Sequence, residues 1–217
     1  MSEFNSQLVI PTLKQVVSIL DANHIKYRFL GSVVMAAING KQYRDVGDLD
    51  LFIDIKGKDV FYNQLIHAGY KPAGGMFGFA RKYLSLETLS HPQLLSMGYF
   101  YGEWQEDGWL FMGNKLINAT IESYAIAPTR YTLHGVKFLG LPHRIIATGV
   151  ISSAKNPKRR KELEIIKNKK IEPLPNTYIH INILGLRADW IYHLVKSILN
   201  IIGVIRTKFN LPFDPWR

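Results

Sequence analysis

Between Tyr27 and Asp54 the chain reads YRFLGSVVMAAINGKQYRDVGDLDLFID, and no other stretch limits the fold as much. A short apolar run, Tyr27 to Leu30, meets Gly31-Ser32; VVMAAI follows with helical composition and stops at Asn39-Gly40; a second β-rich run then carries Asp48 and Asp50. The order predicts strand, helix, strand. A Gly-Ser turn at a helix start offers backbone N–H groups and a hydroxyl to a phosphate, and the helix dipole favours the negative charge. Residues i and i+2 of a strand face the same way, which sets Asp48 and Asp50 about 6 to 7 Å apart at Cα. Carboxylates that close repel unless a cation sits with them, and Mg²⁺, bound by one or two carboxylates plus substrate phosphates, suits the spacing. The stretch therefore reads as half of a phosphoryl-transfer site.

On these residues the chain resembles the nucleotidyltransferase superfamily of DNA polymerase β type, whose signature is a Gly-Ser or Gly-Gly turn opening a helix, then Asp-x-Asp on a strand. Gly31-Ser32 and Asp48-Leu49-Asp50 match in order, spacing and context. The resemblance spans about residues 25–125 and implies an α/β (α+β) fold, a small mixed sheet flanked by helices. It implies transfer of a nucleoside monophosphate from a nucleoside triphosphate to an acceptor hydroxyl. Asp48 and Asp50 would hold two Mg²⁺ ions. Gly31 and Ser32 would grip the β/γ-phosphates, with Arg44 or Arg81 neutralising developing charge. The superfamily draws a third carboxylate from a later strand beside the Asp-x-Asp strand; in the run KLINATIESY the only acid is Glu122, which becomes the expected third ligand and base. The usual residue is Asp, so Glu122 departs from the pattern.

Charge bears on the partner. The 217 residues carry 27 Lys and Arg against 17 Asp and Glu, a net +10, which favours polyanions such as RNA or an anionic membrane surface and disfavours a polycationic small substrate. With no cysteine, disulfides and thiolate metal sites are excluded, in keeping with a cytoplasmic protein. The polar start MSEFNSQL is no signal peptide.

In chain order, Pro11 suits a helix N1 position, with Leu13, Val16, Val17 and Leu20 at helical spacing behind it. A helix carrying Val60, Phe61, Leu65 and Ala68 follows the Asp-x-Asp strand. Residues 71–78 read as a glycine-rich loop and 79–86 as a strand bearing Arg81. The aromatic stretch HPQLLSMGYFYGEWQEDG fits no regular element; Tyr99, Phe100, Tyr101 and Trp104 either fill a satellite core or stack on a base. Gly113-Asn114 marks a hairpin. A short strand, a turn and a helix after Pro142 follow.

These features predict a nucleotidyltransferase-like core over 1–140 and a mainly helical region over 141–217. Residues 155–170 hold eight basic and two acidic residues, either a solvated helix face or a rail on which Lys158, Arg159, Arg160 and Lys161 contact RNA. TYIHINILG reads as a strand. Residues 186–206 form the most apolar helix candidate, but Arg187, Asp189, His193, Lys196 and Asn200 argue against a transmembrane segment. Its apolar face packs in the fold or between copies in a homo-oligomer; the rival is an interfacial membrane helix. An RNA end is the favoured acceptor, ahead of a protein hydroxyl or a small molecule such as an aminoglycoside. Two other readings stand beside the enzyme: an inactive nucleotidyltransferase fold that binds RNA or a partner, and a membrane-surface protein working through 186–206.

Overall fold

The computed structural model describes residues 6–76, 80–85, 95–105, 110–113, 116–154, 156, 159–174, 178–191, 194 and 197. α1 (Ser6–Ala22) leads into β1 (Tyr27–Leu30), α2 (Ser32–Asn39), β2 (Asp48–Asp54) and α3 (Lys58–His67). Seven strands follow: β3 (Tyr70–Met76) paired with β4 (Ala80–Ser85), β5 (Ser96–Trp104) with β6 (Leu110–Gly113), β7 (Ile117–Ile121) beside β6 and, in a hairpin, β8 (Thr129–Leu133) with β9 (Val136–Gly140). α4 (His143–Ser152), α5 (Arg160–Asn168), β10 (Ile179–Ile183) and β11 (Leu186–Arg187) complete the described elements.

The mixed sheet flanked by helices is as expected, although it extends further, to eleven described strands. β1 runs antiparallel to β2 and parallel to β9, while β2 runs parallel to β5. β5 belongs to two groups of strands: residues 96–102 lie beside β2 and residues 97–100 beside β4, whereas Glu103 and Trp104 pair with β6, which continues through β7 to β10 and β11.

Strand alternation decides which residues form the core. Tyr27 and Phe29, Leu49, Leu51 and Ile53, and Met97 and Tyr99 are all buried on one side of the sheet. α1 contributes Val9, Leu13, Val16 and Leu20 to the same core and α3 contributes Phe61 and Leu65, with the Phe61 ring edge-on to Tyr99 at 5.2 Å. Asp48 and Asp50 fall in the opposite phase and are only half-buried.

Several expectations are corrected. Pro11 lies inside α1 rather than at N1, because the helix already begins at Ser6; the bond that Pro11 cannot make falls on the carbonyl of Gln7, an exposed residue. Residues 71–76 of the supposed glycine-rich loop lie in β3, which among the described residues pairs on one side, with β4, and whose register shifts between Pro72 and Gly75. The unassigned aromatic stretch contains β5, and Tyr99 and Trp104 are buried in the core. The helix expected from residue 186 is preceded by β11, with helix from Asp189 to Ile191; most of 192–206 lies outside the described residues. Among those described, no helix is long and apolar enough to cross a membrane.

Candidate active site

Gly31 is the joint between β1 and α2. Its backbone angles, φ 71° and ψ −145°, belong to a region essentially reserved for glycine. A second reason for glycine is space: a Cβ there would stand 3.1 Å from Asp50 Oδ2. Asp50 thus occupies the space into which a side chain at Gly31 would project. Ser32, only 7% exposed, begins α2, and the first intrahelical bond from this end runs from the Met35 N–H to the Gly31 carbonyl. The N–H groups of Ser32, Val33 and Val34 have no carbonyl one turn back within the helix, the general feature that lets helix N-termini receive anions. Gly40, left-handed at φ 85°, terminates α2 as the sequence suggested.

β2 brings the two aspartates to the same end of the sheet. Asp50 is registered with Leu30 of β1, the residue before Gly31, and with Gly98 of β5; Asp48 is registered with Ser96. The Ser96 hydroxyl donates to the Gly47 carbonyl at 3.1 Å, fixing the chain just before Asp48. Farther along the same face the rings of Phe52 and Phe100 meet at 5.5 Å. Beyond them the buried Arg28 guanidinium lies over Trp104 and donates to the Ile126 carbonyl; burial lowers its pKa to about 10.

The donor set fits the Mg²⁺ that the fold family implies. Two half-buried carboxylates share one face of β2 beside the Gly31 turn, and Mg²⁺ is commonly held by one or two carboxylates completed by substrate phosphates. An all-protein cage is a different matter: no group of three or more His, Cys, Asp or Glu side chains among the described residues is placed to hold a metal.

Other sequence candidates lie elsewhere. Glu122 follows β7, which is separated from β2 by β6 and β5. Its Oε1 lies 2.8 Å from His180 Nε2, while His180 Nδ1 lies 3.1 Å from Asp189 Oδ2. The strand actually parallel to β2 is β5, and opposite the aspartates it places Ser96 and Gly98, neither an acid. Arg44 makes an ion pair of 2.9 Å with Glu162. Arg81 sits on β4 opposite Tyr99, in line with Leu51, whereas Lys82 is registered with Gly98 and through it with Asp50. Arg159 pairs with Glu162 at 2.5 Å, Arg160 and Lys161 are exposed on α5, and Lys158 lies outside the described residues.

The residue the sequence reading missed is Glu162 itself, which is 0% exposed. It stands three and four residues before Ile165 and Ile166, the buried stripe of α5, so helical periodicity marked it as inward-facing.

The fold is a nucleotidyltransferase fold. Among solved structures, the chain is similar to the lincosamide antibiotic adenylyltransferase LnuA bound to lincomycin: 15% identity and TM-score 0.58, over 74% of this chain and 95% of that one. It is also similar to ANT(2″)-Ia in complex with adenylyl-2″-tobramycin, at 9% identity and TM-score 0.54, over 93% of this chain and 99% of that one. No protein-family model matches the sequence, and no curated protein matches it either.

Replacing Gly31 with alanine tests the joint. The strained backbone and the approach to Asp50 Oδ2 should cost about 1–3 kcal/mol in a urea titration. Nucleoside triphosphate binding, followed by calorimetry, should weaken in the same variant.

Proposed function

We propose that the chain transfers a nucleoside monophosphate from a nucleoside triphosphate to an acceptor hydroxyl. The acceptor oxygen forms a bond to the α-phosphorus, the bond from that phosphorus to the β-phosphate bridging oxygen breaks, and pyrophosphate leaves as the acceptor proton passes to solvent. The observation that carries this reading is the closeness of Asp50 to Gly31, where an added Cβ would stand 3.1 Å from Oδ2; it brings the turn together with the Asp48–Asp50 pair. Gly31, Ser32 and the first turn of α2 bind the β/γ-phosphates. Asp48 and Asp50 would hold Mg²⁺, which supplies charge neutralisation and orientation at the phosphates when bound. Glu122 is left out of this ligand set because its strand is remote from β2.

For the acceptor, the net charge of +10 favours an RNA end. The likeness to enzymes named for lincosamide and tobramycin adenylylation supports a small-molecule hydroxyl as the second reading. Incubation with each α-labelled triphosphate and Mg²⁺, in the presence of RNA or of a panel of lincosamides and aminoglycosides, separates the two by where the label goes. Label on neither RNA nor drug, with no release of pyrophosphate, would leave a binding protein.

If exposed Arg160 and Lys161 contact RNA, replacing both with glutamine should reduce the slope of log affinity against log salt by about 1.4. An unchanged slope returns α5 to a solvated face.

A further inference from the structure

We infer that Glu162 is a positioning residue for the Asp48–Asp50 pair, acting through the segment that joins the phosphate turn to the metal strand; the inference rests on the function proposed above. Residues 40–47 connect the end of α2 to the start of β2. Their path decides where Asp48 stands relative to Gly31. Two clamps hold it. At the far end the Ser96 hydroxyl grips the Gly47 carbonyl. In the middle, Glu162 of α5 accepts from the Tyr43 hydroxyl at 2.7 Å and from Arg44 Nη2 at 2.9 Å through one oxygen, and from Arg159 Nη1 through the other. Lys161 Nζ adds a longer contact, 3.5 Å, to the Tyr43 carbonyl.

The chemistry of the clamp points to placement rather than bulk packing. A fully buried carboxylate with charged donors is a poor device for stability, since an apolar residue of similar volume often serves as well; what it supplies is one allowed geometry. Here the donors come from both sides of the contact, Arg159 beside the acid and Tyr43 and Arg44 on the connecting segment. The Tyr43 ring also lies 5.6 Å from the Arg44 guanidinium, so the two donors order each other. The arrangement makes α5, outside the strand–helix–strand motif, part of what sets the aspartate pair.

The test uses the full chain with Glu162→Gln, Glu162→Asp and Tyr43→Phe, at a temperature where circular dichroism shows each folded. Binding of Mn²⁺ in the presence of a nucleoside triphosphate, read by electron paramagnetic resonance, is measured beside kcat and KM. Glu162→Gln should raise the metal concentration needed for half-saturation and lower kcat by about 10- to 100-fold, the scale of a misplacement near 1 Å, with a smaller change in KM. Glu162→Asp, which keeps the charge, should recover part of both. Should Glu162→Gln not fold, Tyr43→Phe removes a single donor and should show the same changes in weaker form. Wild-type metal affinity and kcat in the folded variants would overturn the inference while leaving the proposed function standing. A wild-type chain that binds neither Mn²⁺ nor triphosphate would overturn both.

Discussion

Asp48→Asn and Asp50→Asn should each cut transfer of label from an α-labelled triphosphate by on the order of 10²–10³-fold, because each removes a charge from the face of β2 that the two carboxylates share. The fold should survive. Both side chains are half-buried at the end of β2, and the core residues Leu49 and Leu51 between and beyond them are untouched. Circular dichroism and the urea midpoint of the variants report on that second half of the expectation. Undiminished transfer in either variant would remove the aspartate pair from the chemistry.

The second large effect concerns stability. Glu162→Ala strips the acceptor from Tyr43, Arg44 and Arg159 and leaves two guanidinium groups facing a vacated interior. Breaking a buried ion cluster in this way costs about 3–5 kcal/mol. With both arginines about one-third exposed, water can take up part of their charge, which places the loss toward the lower end of that range. The same cluster predicts a pH dependence. Burial would raise the Glu162 carboxyl, but Arg159, with hydrogen bonds from Tyr43 and Arg44, outweighs it and holds the group below its ordinary value. A depressed carboxylate contributes stability that is complete above the unfolded value of about 4.3 and is lost as pH falls through the folded one. Urea midpoints between pH 7 and pH 3 should therefore fall less steeply in Glu162→Gln than in the native chain.

The strand–helix–strand motif was legible because each step announces itself locally: apolar run, Gly-Ser, helix formers, Asn-Gly, then an alternating strand. β5 carried a signal too. Met97, Tyr99 and Tyr101 alternate with Gly98, Phe100 and Gly102, a period of two that the glycines disguised as turns. β3 was harder, since Pro72, Gly74 and Gly75 oppose strand propensity and only pairing with β4 makes the segment extended. For Glu122 nothing in the sequence could have told which strands stand between β7 and β2, because strand order is a property of the assembled sheet. Arg44 and Arg159 look like free cations in sequence; their shared acid lies on α5 at Glu162, far along the chain from Arg44.

The parallel pairing of β2 with β5 has a kinetic consequence. Asp48 and Ser96 become neighbours only after the chain has passed through α3, β3 and β4, whereas β1 with β2 and the β8–β9 hairpin join segments close in sequence. Contacts between distant segments bear the loop-closure entropy before they return any energy, and they form slowly. The Ser96 clamp on Gly47 and the floor that Gly98 provides beside Asp50 thus belong to the late phase of folding. A nascent or partly folded chain can hold the Gly31 turn and still lack the strand that stands beside Asp48 and Asp50.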